Sequence, residues 1–153
     1  DPYVYSYGHR NPQGLAVDRT SGRIYEQEHG PRGGDEINLL APGNNYGWPV
    51  VSYGLDYSGA LISPFTEYTG ITNPILHWTP SIAASGLAVY RGQPFADWQG
   101  DLLAGGLVEK SLRRVELENG QVVGQEILLQ ELDERIRRES GARRPHLRTH
   151  RSR

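Results

Sequence analysis

Cysteine and methionine are both absent from the 153 residues, and lysine occurs once, as Lys110. The lack of thiols excludes disulfides, thiol nucleophiles and thiolate metal centres, so a bound metal has to be held by oxygen or imidazole. No apolar run approaches the roughly 18 to 20 residues that a membrane-spanning helix needs. The opening DPYVYSYGHR has neither the basic start nor the apolar stretch of a secretory signal. Nor does any apolar stripe of helical period run far enough to nominate a helix. Without an initiator methionine, and with a strand-like YVYSY directly after Asp1 and Pro2, the chain reads as a segment of a longer protein.

What is present is the material of one soluble, mostly β domain. Of the 17.1 kDa chain, 19 residues are glycine and 10 proline, so about one position in five breaks regular structure. Alternating or short apolar runs nominate strands at 14–18, 22–30, 35–40, 85–90, 100–107, 111–118 and 122–129, several separated by turns such as ENGQ at 118–121. The strands recur as a unit: GLAVD, a turn and GRIYEQEHG match GLAVY, a longer turn and GDLLAGGL. Repeated meanders suggest blades of a β-propeller. A β-sandwich fits the strand count but not the repeat.

Charge is divided unevenly. Residues 138–153 hold six arginines against Glu139 alone, a net of +5, which leaves 1–137 with ten basic and seventeen acidic residues, a net of −7. A basic tail is commonly a nucleic-acid-binding arm, but an acidic body repels phosphate. Codons can also be chosen so that, from Arg137 on, the next reading frame runs DVRVGPDGHIYVLTD, a strand, a Pro-Asp-Gly turn and a second strand. The tail at 138–153 is therefore expected to be non-native and disordered, the product of a frame slip. Residues 1–137 are expected to form the folded domain.

Two segments carry chemistry. Gly8 to Gly14, GHRNPQG, sets a cation, two amides and an imidazole in a turn ahead of a strand, and Arg10 with Asn11 suits a planar anion. Glu28 to Glu36, EHGPRGGDE, puts carboxylates beside a Gly- and Pro-rich loop whose carbonyls are free of a ladder, the oxygen-rich setting Ca²⁺ requires. The spacing is not that of an EF-hand, and by spacing alone a solvated acidic turn is the favoured reading. His29 has no second histidine at ligand spacing and reads as a packed imidazole. NNYGWP at 44–49 reads as a rigid aromatic corner.

GHRNPQGLAVD, EHGPRGGDEINLL, NNYGWP, SYG at 52–54, WTPSIAASGLAVY at 78–90 and ERIR at 134–137 together resemble the soluble sugar dehydrogenases that use pyrroloquinoline quinone (PQQ). They are most similar to the aldose sugar dehydrogenase branch of the glucose/sorbosone dehydrogenase family, over about 5–137. The resemblance implies an all-β fold, a partial six-bladed propeller of about two to three blades. It also implies PQQ and Ca²⁺ in a top cleft and oxidation of the C1 hydroxyl of an aldose to a lactone. The partners it implies are an aldose substrate, an external electron acceptor and, in the intact parent, a possible homodimer. Nucleic acid is not expected. The implied location is periplasmic or secreted.

Residue by residue, the resemblance puts Arg10, Asn11 and Tyr57 in the PQQ pocket and aligns Arg135 and Arg137 with an arginine pair that reaches PQQ carboxylates. Lys110 stands near, though not at, a lysine position of the family, where Val108 aligns. The carbonyls of Gly30 and Pro31 correspond to ligands of the cofactor's Ca²⁺, and Glu36 and Tyr46 to ligands of a structural Ca²⁺. The family's general-base histidine precedes GHRNPQG, so none of the five histidines takes that role, and the chain alone is expected to be inactive. The competing reading is a non-catalytic, calcium-binding propeller module for a protein or glycan, which has no reason to keep Arg10, Asn11, Arg135 and Arg137 together.

Overall fold

In the computed structural model, which describes residues 1–137, the first hairpin shows how local sequence sets the architecture. β1 (Pro12–Val17) and β2 (Ile24–Glu28) pair antiparallel, with Ala16 opposite Tyr25 and Val17 opposite Ile24. The connecting turn is organised by Asp18, whose carboxylate accepts the Thr20 amide and the Ser21 hydroxyl. Such side-chain mimicry of a turn is the reason aspartate favours these positions. β3 (Asp35–Leu40) pairs with β2, and the short β4 (Leu76–Trp78) closes the far edge, giving the order β1-β2-β3-β4. The second sheet repeats the plan with β5 (Ala84–Val89), β6 (Leu102–Gly106), β7 (Ser111–Glu118) and β8 (Gln121–Leu128) in the order β5-β6-β7-β8.

Each sheet is a four-stranded meander, and the two pack through their first strands. Gly14 of β1 is required at that contact, since a Cβ there would lie 2.8 Å from the Leu87 amide nitrogen and 2.9 Å from the Ser85 carbonyl. Between the sheets lies the apolar core, with Ala16, Tyr25, Ile37 and Trp78 facing Leu87, Leu102, Ala104 and Val115. Polar groups inside it are used to join the sheets. Gln27 donates to the carbonyls of Gly86 and Gly105, and the Trp78 indole donates to Gln125 at 2.8 Å.

All seven strands expected from the sequence are present, and GLAVD/GRIYEQEHG and GLAVY/GDLLAGGL are the first hairpins of their respective sheets. The repeat is thus two propeller blades among the described residues; each sheet is completed by four consecutive strands, whereas the Greek-key connections of a sandwich pass between its sheets. β4 was not anticipated. Three residues carry no readable alternation, and LHW becomes a strand because β3 offers its edge. No helix among the described residues is long and apolar enough to cross a membrane. The frame-slip expectation falls on 138–153, outside the described residues.

Candidate cofactor and metal site

Period-two alternation gives the first sheet two unlike faces. Tyr25, Gln27, Ile37 and Trp78 point to the core. Glu26, Glu28, Glu36 and Asn38 share the opposite face, with Glu26 paired to Asn38 and Glu28 to Glu36. Over this face lie the turn at 8–11 and the loop that follows β3. The His9 ring stacks on Tyr46 at 4.8 Å, and the Tyr7 and Trp48 amides anchor to the carbonyls of Asn44 and Gly8.

The turn is held by a buried carboxylate. One oxygen of Glu28 accepts the backbone amides of both Arg10 (2.6 Å) and Asn11 (2.9 Å). The Arg10 guanidinium lies 5.3 Å over the Trp48 ring, and its Nη1 donates to the carbonyls of His29 (3.2 Å) and Gly30 (3.0 Å). Its remaining donors make no hydrogen bond among the described residues. A guanidinium braced on one edge and open on the other is oriented to fork a carboxylate.

The loop after β2 is fixed by Asp35, which is fully buried. Its carboxylate accepts the Gly30 amide at 3.1 Å, the Ser81 hydroxyl at 2.7 and 2.8 Å, and the Ala84 amide at 3.0 Å. Gly30 admits no side chain, because a Cβ would fall 2.1 Å from the Gly33 carbonyl oxygen. Arg32 and Leu55 exchange backbone hydrogen bonds, which brings the segment bearing Tyr57 alongside. The result is a cleft of about 360 Å³ lined by Arg10, Asn11, His29, Gly30, Pro31, Tyr57, Ser81 and Ala83. It lies at the lower end of the usual range for small-molecule sites. A planar polycarboxylate fits the donor set: a guanidinium, an amide, and an aromatic ring.

Beneath the cleft is a narrow acidic cavity bounded by Glu28, Glu36, Tyr46, Arg10, Gly30 and Trp48, with room for one water-sized sphere. Burial, reinforced by the charge of Glu28, pushes the carboxyls of Glu26 and Glu36 up to about 8. Carboxylates crowded out of water in this way call for a cation or a proton. Oxygen donors and a space of this size fit Ca²⁺. The Tyr46 phenol is already committed, donating to Leu39 and accepting from Ala41, so any oxygen it lends has to be its main-chain carbonyl.

The structure therefore brings Arg10, Asn11, Gly30, Pro31 and Tyr57 to one cleft and Glu36 and Tyr46 to the cavity under it. Lys110 is outside both linings, paired with Asp133 at 2.7 Å. Arg135 and Arg137 are exposed on either side of buried Ile136, whose carbonyl accepts the Ser85 hydroxyl at 2.6 Å, and they too lie outside both linings. Two residues essential to the geometry had no assigned role: Glu28, which builds the turn, and Asp35, which builds the loop. Their signal is the EHGPRGGDE segment, whose carboxylates read from sequence as candidate metal oxygens and in the structure accept backbone amides.

Meander blades joined at their first strands are those of a β-propeller, and the cleft beside that junction has the size of a small-molecule pocket. The chain belongs to the Glucose / Sorbosone dehydrogenase family, which matches residues 1–142. It is 39% identical over 136 residues to the aldose sugar dehydrogenase YliI of Escherichia coli, covering 88% of this chain and 37% of that protein. A solved glucose dehydrogenase superposes with a TM-score of 0.90 at 46% identity, over 97% of this chain and 44% of the other. The PQQ-bound aldose sugar dehydrogenase of Streptomyces coelicolor gives 0.70 at 30% identity, over 89% and 35%. The chain thus spans less than half the length of each of these relatives.

Proposed function

We propose that the chain is the cofactor-holding part of a PQQ- and Ca²⁺-dependent enzyme that oxidises the C1 hydroxyl of an aldose to a lactone and passes the electrons to an external acceptor. The observation that carries this reading is the convergence of Arg10, Asn11, Gly30, Pro31 and Tyr57 on one cleft. The PQQ-bound structural relative supports it. When bound, PQQ supplies a quinone that takes up two electrons and two protons as the sugar becomes a lactone, with Ca²⁺ as the polarising Lewis acid.

The chain's own residues bind and orient. Arg10 and Asn11 hold a carboxylate edge, Tyr57 covers an aromatic face, and Gly30 and Pro31 offer carbonyl oxygens. Arg10 shares the Gly30 carbonyl, whose second lone pair is left for a cation. Glu36 and the Tyr46 carbonyl hold a second Ca²⁺ that offsets the buried carboxylates. Arg135, Arg137 and Lys110 lie outside the lining of the cleft and carry no part of this assignment. We assign the folded part to 1–137, the tail to 138–153 and the parent to the periplasm or exterior.

We assign the general base to none of His9, His29 and His77, the histidines among the described residues. The 153-residue chain is therefore expected to bind PQQ in a Ca²⁺-dependent manner, followed by quenching of tryptophan fluorescence, without turning over glucose in the presence of a dye acceptor. Arg10→Ala weakens that binding at least tenfold. Equal binding by the variant overturns the cofactor assignment, and turnover by the chain alone overturns the assigned division of labour.

A further inference from the structure

On the acidic face of the first sheet, His9, Glu26 and Glu28 bring one nitrogen and two carboxylate oxygens within 4.8 Å of one another. His9 Nδ1 lies 3.6 Å from Glu26 Oε2 and 3.5 Å from Glu28 Oε1. Ligands about 2.1 Å from a tetrahedral ion stand roughly 3.4 Å apart, so these separations leave space for an ion at the centre. The orientation of the imidazole is set from behind: Nε2 lies 2.9 Å from the Ser6 hydroxyl, which turns Nδ1 toward the carboxylates.

Independent of the cluster's composition, two of its buried polar atoms lack partners. His9 Nδ1 makes no hydrogen bond, and neither does Glu26 Oε1, while Glu26 Oε2 and Glu28 Oε1, the oxygens that face His9, each accept from Nδ2 of fully buried Asn38. Glu26 itself is only 3% exposed. An unsatisfied carboxylate oxygen at that depth is strongly disfavoured unless a cation or a proton meets it.

We propose that His9, Glu26 and Glu28 form a binding site for a divalent ion of the zinc class. The imidazole nitrogen separates it from the all-oxygen set suited to Ca²⁺. Glu28 is shared between two tasks, Oε1 for the ion and Oε2 for the amides of Arg10 and Asn11. The ion is thus a staple between the turn and β2. The site does not depend on PQQ binding, because neither His9 nor Glu26 lines the cofactor cleft.

The test is titration of the full 153-residue chain with Co²⁺ under millimolar Ca²⁺, followed by its visible absorption, with Glu26→Gln measured in parallel. One Co²⁺ per chain that Ca²⁺ does not displace is expected, with at least tenfold weaker binding in the variant. If Glu26→Gln fails to fold, the unmodified chain is followed by imidazole ¹⁵N NMR, where Zn²⁺ has to shift His9 Nδ1 ahead of the other histidines. Displacement by Ca²⁺, full affinity in the variant, or a shift confined to other histidines overturns the proposal.

Discussion

Asp35 illustrates how a single side chain can hold a site together without facing its ligand. It links Gly30 at the mouth of the cleft to Ser81 and Ala84 at the entry to the second blade. Replacing it with alanine strands two buried amides, and a loss of about 3 kcal/mol is expected. Urea denaturation of Asp35→Ala against the parent chain measures this. The same substitution also weakens PQQ binding, because the Gly30 amide loses the carboxylate that holds it. Arg10 and Asn11 were legible as a cation and an amide in a turn before Pro12, a pattern that an exposed charge and a turn former satisfy as well. Glu28 and Asp35 were not, because a carboxylate that accepts backbone amides looks, in a sequence, like one that binds metal or solvent.

At the scale of the element, the strap between the inner strands decides how the blades sit. Arg91, just beyond β5, donates to both oxygens of Asp18, just beyond β1, at 2.8 Å each. Burial alone raises the Asp18 carboxyl, but the hydrogen bonds from Ser21, Arg91 and the Thr20 amide outweigh it and hold the pKa below the usual 3.8. A depressed folded-state value means that this contribution is fully present above pH 4. It disappears as pH falls through the folded-state pKa. Asp18→Asn is expected to lose about 1 kcal/mol at neutral pH, since Arg91 is partly solvated. The variant and parent chains converge in stability once the pH falls below the folded-state pKa, and thermal melts across pH 2 to 7 test it. The strands flanking this strap were readable from alternation and turns; the strap was not, because its partners lie 73 residues apart.

At the scale of the whole molecule, the two blades leave apolar surface facing water. Leu15 and Val17 on β1 are 64% and 52% exposed, and Val123 and Ile127 on β8 are 55% and 45% exposed. Apolar side chains on sheet faces and edges of this kind promote association. The chain is therefore expected to self-associate as its concentration rises, seen by light scattering. Leu15→Ser combined with Val17→Thr shifts the onset to several-fold higher concentration. A monomer unchanged up to millimolar concentration contradicts this.

The sequence by itself determined the strands, the turns between them, the blade repeat and the residue types gathered in the GHRNPQG and EHGPRGGDE segments, because each rests on periodicity or on residues within a few positions of one another. Only the tertiary structure decided which carboxylates face one another. Glu26, Glu28 and Glu36 become neighbours through the register of β2 and β3, and His9 joins them because the turn folds over that face. Whether a glutamate is a surface charge or a ligand depends on what the opposite strand and the covering loop place beside it, and these contacts span separations over which a sequence carries no periodic signal.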